Sequence, residues 1–299
     1  MNIIEETKTD DVAGKVLGQR VSAPQVYDPN ILVRVPRSEN RKQYGISDDT
    51  FIGFDTWNCY EISFLLNNGF PLMFVGKLVY PSNSEFIVES KSLKLYLNSF
   101  NMEKMGISVE DATHRFINTV KHDLAVLLNI NIHDVSFNLF DDKEEKSMFS
   151  VKPDDYSDIG EYGELCEFTS DSETPELLKE NIFNKKFKVS FRSMRSNCRV
   201  THQPDWATVF IDYEGDRGVD LKSLLQYLVS FRNESHFHEE CVEMIFTRLN
   251  DKFLPDKLNV TALYTRRGGI DICPQRSLSF ENLNFGLLQN IMHTRTIHQ

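Results

Sequence analysis

Apolar and polar residues alternate in short runs along much of the chain. In two places the period lengthens to that of a helix. FKVSF (187–191) and ATVFIDY (207–213) alternate residue by residue and predict strands with one face buried. Phe116, Val120, Leu124 and Leu127 recur at spacings of four, four and three, the spacing of one helix face, so Val109–Leu127 reads as a long helix. The alternating run VSFNLF follows it, just as NVTALYT follows a second helical stretch at Cys241–Phe253.

The two halves repeat one another. KSLKLYLNSF runs from Lys91 to Phe100 and KSLLQYLVSF from Lys222 to Phe231, with Lys-Ser-Leu, Tyr-Leu and Ser-Phe recurring 131 residues apart. Upstream, YEISF (Tyr60–Phe64) matches FKVSF in pattern. Self-similarity of this kind marks two copies of one supersecondary unit. The unit reads strand, strand, helix, helix, strand, which predicts an antiparallel α+β module rather than a parallel doubly wound sheet. The expected division is an N-terminal arm (1–45), a first module (46–140), an acidic linker (141–185) and a second module (186–299). The linker stretch carries 14 Asp and Glu against 5 Lys and Arg, so it holds −9 of the chain's −11.

That charge argues against attraction to a nucleic-acid backbone, while the nearly neutral remainder leaves room for a local basic pocket. No run approaches the ~20 apolar residues of a membrane helix, and the acidic, polar start lacks an apolar signal core, so a cytoplasmic protein is expected. The five cysteines are scattered without a C-x-x-C pair, the pattern of reduced thiols rather than a disulfide framework or a cysteine-rich zinc site.

Four clusters bear chemistry. In SMRSNCRVTHQPDW, Cys198 lies between Arg195 and Arg199, cations that favour a thiolate, and Asp205 follows between Pro204 and Trp206. Partial desolvation there is expected to raise the Asp205 pKa and keep its proton. An inert loop cysteine and a turn aspartate are the plainer alternatives. In SHFHEECVE, the acids suit a helix N-terminus, and a metal site is disfavoured because His238 and Glu239 are adjacent and H-E-x-x-H is absent. In FIVESKSLKLY, Glu89 is placed either to accept two N–H groups from a guanine-like edge or to start a helix. In YTRRGGIDI, Gly268–Gly269 reads as a hairpin turn that also permits close backbone approach, with Arg267 ready for a phosphate. Neither G-x-G-x-x-G nor a P-loop occurs.

Together these motifs resemble the NADPH-dependent 7-cyano-7-deazaguanine reductases of queuosine biosynthesis, in their two-module form. The carriers are ESKSLKLY (Glu89–Tyr96), the Cys198–Asp205 segment, FHE (Phe237–Glu239) and RGG (Arg267–Gly269), over most of the chain from about Pro36. The resemblance implies two tandem tunnelling-fold modules, antiparallel sheets with helices on the outer face, and a homodimer that completes the barrel. It implies reduction of a nitrile to a primary amine with two NADPH, no metal, and no direct nucleic-acid or membrane partner. By the same resemblance Cys198 is the nucleophile that forms a thioimide, and Asp205 is the proton donor. Val88, Glu89, Ser90, Phe237, His238 and Glu239 hold the 7-deazapurine. Ser90, Lys91, Arg267 and Gly268 meet NADPH. The rivals are a zinc-dependent cyclohydrolase on the same fold, with Cys198 and the histidines as ligands, and a purine- or pterin-binding protein.

Overall fold

The computed structural model describes residues 24, 26–140 and 156–283. The first half contains β1 (Arg34–Pro36), α1 (Arg37–Gln43), β2 (Ile52–Leu66), β3 (Pro71–Pro81), β4 (Phe86–Val88), α2 (Ser90–Asn98), β5 (Lys104–Gly106), α3 (Val109–Leu128) and β6 (Ser136–Phe140). The second contains β7 (Ser157–Asp158), β8 (Glu180–Asn181), β9 (Lys186–Cys198), β10 (Pro204–Glu214), β11 (Gly218–Val219), α4 (Leu221–Ser230), β12 (Ser235–His236), α5 (His238–Phe253), β13 (Lys257–Tyr264) and β14 (Ile270–Ser277). The expected α+β class is observed.

One sheet of ten strands runs through both halves, in the order β12-β9-β10-β13-β14-β2-β3-β6, with β5 added to β2 and β7 to β9. It is mixed rather than purely antiparallel, because the short strands β5, β7 and β12 lie parallel to their neighbours. The halves join where β14 pairs with β2, from Ile270 opposite Cys59 to Ser277 opposite Ile52. Each half packs its helices on the sheet over its own core. Phe64, Phe116, Leu124 and Tyr96 belong to the first core, and Val209, Ile211, Tyr227 and Phe246 to the second.

Local chemistry sets these elements. Ser108 caps α3 by accepting from Asp111 N, and Asn129 ends it in the left-handed conformation at φ 54°. Its buried stripe continues from Leu124 to Leu128 rather than Leu127, one further turn of a 3.6-residue period. The repeat in the sequence is also a repeat of hydrogen bonds. Glu89 caps α2 and Asp220 caps α4. Ser92 Oγ donates to Glu89 O at 2.7 Å, and Ser223 Oγ donates to Asp220 O at 2.7 Å. Val33 N reaches Ser92 Oγ at 3.0 Å, just as Lys179 N reaches Ser223 Oγ at 3.0 Å.

The segments outside the repeats also pack. Of the acidic stretch, 141–155 lies outside the described residues; beyond it, Ile159 and Leu178 are buried in the second core. In the arm, Tyr27 donates to Asp123 Oδ2 at 2.7 Å, while α1 drives Arg37 and Arg41 into the seam between the halves. There Arg276 bridges Asp55 (2.8 Å) and Glu243 (2.9 Å), Arg41 bridges Glu243 (2.8 Å) and Asp48 (2.8 Å), and Arg37 pairs with Asp55. This cluster ties β2, β14, α1 and α5 together beneath the cavity described next.

Candidate active site

A cavity of about 260 Å³ opens at the seam, and every residue to which the resemblance gave a catalytic, base-binding or NADPH-binding role lines it. The first half supplies Val88 from β4 and Glu89, Ser90 and Lys91 from the start of α2. The second supplies Cys198, Asp205, Phe237, His238, Glu239, Arg267 and Gly268. Trp57, Ile87, Ile270 and Ile272 add apolar wall. The volume lies just below the usual range for a small-molecule pocket.

Cys198 and Asp205 lie on strand ends, not within a loop. Cys198 is the last residue of β9 and Asp205 the second of β10, opposite Ser196. The hairpin between them is pinned by Cys198 N donating to Gln203 O at 2.8 Å and by His202 N donating to Cys198 O at 2.9 Å. Strand geometry also redirects the arginines expected beside the sulfur. Arg195 donates to Asn197 Oδ1 and lies over the Trp206 ring. Arg199 engages Tyr44, Gln43 and Glu240. His236, part of the SHFHEECVE cluster in the sequence, is a cation-capable neighbour of Cys198 in the sheet, a pairing that arises from the short parallel strand β12. Burial pulls the His236 pKa down, but hydrogen bonds to Glu234 and Glu240 outweigh it and leave it raised.

The expected proton on Asp205 needs correction. Burial does push this carboxyl up, as its Pro–Trp setting suggested. However, His238 Nε2 lies 3.4 Å from Oδ2 and Arg267 Nη1 donates to Oδ1, and together they hold the group below the ordinary aspartate value. Asp205 is therefore ionised in the empty pocket. Both partners are remote in sequence. The same contact redefines Arg267, which is engaged with Asp205 and Gln203 instead of standing ready for a phosphate.

Glu89 is the helix-start acid of α2: Oε1 accepts from Lys91 N at 2.9 Å and Oε2 from Ser92 N at 2.8 Å. Ser90 Oγ also donates to Oε1 at 3.5 Å, while Oε2 retains a second lone pair for a ligand. Glu239, one turn before Glu243 on α5, is 2% exposed, and its Oε1 has no hydrogen-bond partner. Burial first, and then the Asp55 carboxylate, push its pKa up to about 8. The His238 ring lies flat on Tyr264 with centroids 3.7 Å apart, which fixes the imidazole against Asp205. His238 and Glu239 both reach the cavity, although a regular helix separates adjacent side chains by ~100°, because they open the first turn of α5 at the cavity's edge.

At the rim the Gly268–Gly269 turn has φ of 57° and 80°. A Cβ on Gly268 would come 3.1 Å from Lys94 Nζ, so the turn sits directly against α2. Lys94 lines the cavity and was also missed, although its place three residues after Lys91 on one helix face was a readable signal. Among the described residues no group of three His, Cys, Asp or Glu side chains is placed to hold a metal ion, and no helix is long and apolar enough to cross a membrane.

Comparison with known proteins decides the family. Residues 23–135 match a family described as "Nitrile reductase, 7-cyano-7-deazaguanine-reductase N-term", and residues 204–281 match one described as "QueF-like protein". The NADPH-dependent 7-cyano-7-deazaguanine reductase of Desulfotalea psychrophila is 38% identical over 279 residues, covering 90% of this chain and 95% of that protein. The chain belongs to the 7-cyano-7-deazaguanine reductase family. Two further relatives of the same name, from Rickettsia canadensis and Acinetobacter baumannii, are 39% and 36% identical and cover 91% and 89% of this chain and 96% and 93% of their own. The two family matches lie one in each half and include the residues that line the cavity except Cys198, Thr201 and Gln203, which lie in the interval between them.

Proposed function

We propose that this chain reduces the nitrile of 7-cyano-7-deazaguanine to the aminomethyl group with two NADPH, through a thioimide on Cys198, as a step of queuosine biosynthesis for tRNA modification. The observation that carries the reading is the convergence of Cys198, ionised Asp205 and His238 on one cavity in a chain of this family.

The ionised Asp205 suggests how the acid obtains its proton. Asp205 accepts the thiol proton of Cys198, the sulfur adds to the nitrile carbon, and Asp205 returns that proton to the nitrogen. One S–H bond and one C≡N π bond are exchanged for an S–C and an N–H bond, so the step is neutral overall. Arg267 and His238 steady the carboxylate before the transfer and after it. His238, stacked on Tyr264, is placed to relay later protons to the imine nitrogen.

Glu89 and Glu239 grip the donor edge of the base, Ser90 lies beside them, Val88 adds apolar wall and Phe237 closes over the ring. Lys91, Lys94 and the Gly268 backbone fit a phosphorylated dinucleotide: the Lys94 ammonium, paired with Glu61 at 3.5 Å, lies beside a turn without a Cβ, and Lys91 lines the same cavity. NADPH supplies hydride when bound, and the protein supplies position and charge.

Among the described residues the sheet ends at β6 and β12, which supports a homodimer that pairs these edges into a tunnelling-fold barrel. The deciding assay follows NADPH absorbance with 7-cyano-7-deazaguanine. Two NADPH oxidised per amine formed supports the reading. Binding of the base without NADPH oxidation rejects it in favour of a binding protein.

A further inference from the structure

The seam that meets the cavity at Glu239 has a charge pattern that the reaction does not require. Three guanidinium groups, Arg37, Arg41 and Arg276, meet three carboxylates, Asp55, Glu243 and Asp48. Asp48 is at the surface, while the other five are at least nine-tenths buried. The set is neutral without Glu239, which rises from α5 one turn before Glu243 and lines the cavity, with its buried Oε1 lacking a hydrogen-bond partner. An ionised Glu239 would be a fourth carboxylate for three cations, with no hydrogen-bond donor from the described residues at Oε1. Buried carboxylates in that position are held only by supplied N–H donors. A base with adjoining N–H groups supplies them.

We propose that Glu239 is a neutral carboxylic acid in the empty pocket and releases its proton as the base binds, so that recognition of the base and deprotonation of Glu239 are one event. The inference rests on the reading of this cavity as a deazaguanine site. The groups facing Glu239 come from every side. Arg37 and Arg276 favour its ionised form, while burial and Asp55 oppose it and prevail. Tyr80 of β3 shares the same field. Across the cavity, burial also pushes the Glu89 carboxyl up against its two backbone N–H donors, so the Glu239→Gln arm is what assigns the proton, and His238 is turned to Asp205.

The test is calorimetric titration of the intact protein with 7-deazaguanine, which lacks the nitrile and so leaves Cys198 and Asp205 out of the proton count. Runs at pH 7 in two buffers of different ionisation enthalpy give the protons released per site. About one is expected, falling toward zero above pH 9, and Kd tightens by up to ~10-fold per pH unit from 6 to 8. Glu239→Gln should bind more weakly, release no proton and show no such pH dependence. Asp55→Asn, which leaves a cation in excess, should reduce the release at pH 7 because Glu239 is then already ionised. Binding by the unaltered protein with no proton released overturns the inference, as does an unchanged proton count in Glu239→Gln. No binding at any pH overturns the deazaguanine reading itself.

Discussion

Arg267 reaches from the β13–β14 turn to Asp205 on β10 and donates to Oδ1, so the turn at the cavity rim holds the carboxylate at its centre. The pair is half-open on the arginine side, with 37% of the Arg267 side chain exposed, so its effect is on charge and position more than on stability. Removing the cation with Arg267→Met should raise the Asp205 pKa toward its burial-driven value. Catalysis that begins with the Asp205 carboxylate then fails at a higher pH than in the unaltered protein. The measurement is the acid limb of kcat/KM, which should move to higher pH. A limb that stays in place separates Arg267 from the proton chemistry.

Cys198→Ala should abolish turnover, and intact-mass analysis after incubation with the nitrile should show no added mass. Asp205→Asn keeps a hydrogen-bonding group of the same size but can neither take the thiol proton nor return it. Its rate should fall by ~10²–10⁴, the usual contribution of general acid–base catalysis, with base binding retained. Unchanged turnover in Asp205→Asn, or covalent capture by Cys198→Ala, contradicts the assignments.

The sequence disclosed what local rules control. The Lys91–Phe100 and Lys222–Phe231 repeats became α2 and α4 because capping and helical periodicity act over a few residues. Glu89 was readable as a helix start for the same reason. Asp205 was misjudged because its proton is governed by His238 and Arg267, which lie 33 and 62 residues further along and meet it only through the sheet. Arg195 and Arg199 misled in the opposite sense, being close in sequence yet turned to other partners. Arg37 and Arg41 sit in a polar run that reads as surface, and their burial follows from carboxylates on β2 and α5 that only the fold brings near.

Glu89 and Asp220 are equivalent helix caps, and only the first lines the cavity. Alanine at either position removes a side chain that satisfies backbone N–H groups and should cost about 0.5–2 kcal/mol of stability. Only Glu89→Ala should also raise KM for the base, because a site built for ring N–H groups is left without its acceptor. Denaturant unfolding beside steady-state kinetics separates the two effects. A wild-type KM in Glu89→Ala would reduce Glu89 to its capping role.

Arg276 is fully buried and bridges Asp55 of the first half to Glu243 of the second. Arg276→Met keeps much of the volume but strands two carboxylates among fewer cations. The loss should be about 3–5 kcal/mol, the usual cost of breaking a buried pair from one side. Burial pushes Asp55 and Glu243 up, but Arg276 leads the cations that hold both carboxyls below their ordinary values. A depressed carboxyl stabilises the fold above its unfolded pKa of ~4 and loses that contribution as pH falls through its folded value. The unaltered protein should therefore lose stability as pH falls toward and below ~4, while Arg276→Met, whose carboxyls are no longer held down and take up protons in the fold itself, should lose less, so that the gap between the two proteins narrows as pH falls. Urea unfolding at pH 7, 5 and 4 reads both effects. An equal free-energy difference between the two proteins at all three values would show that the seam is held by packing and not by these charges.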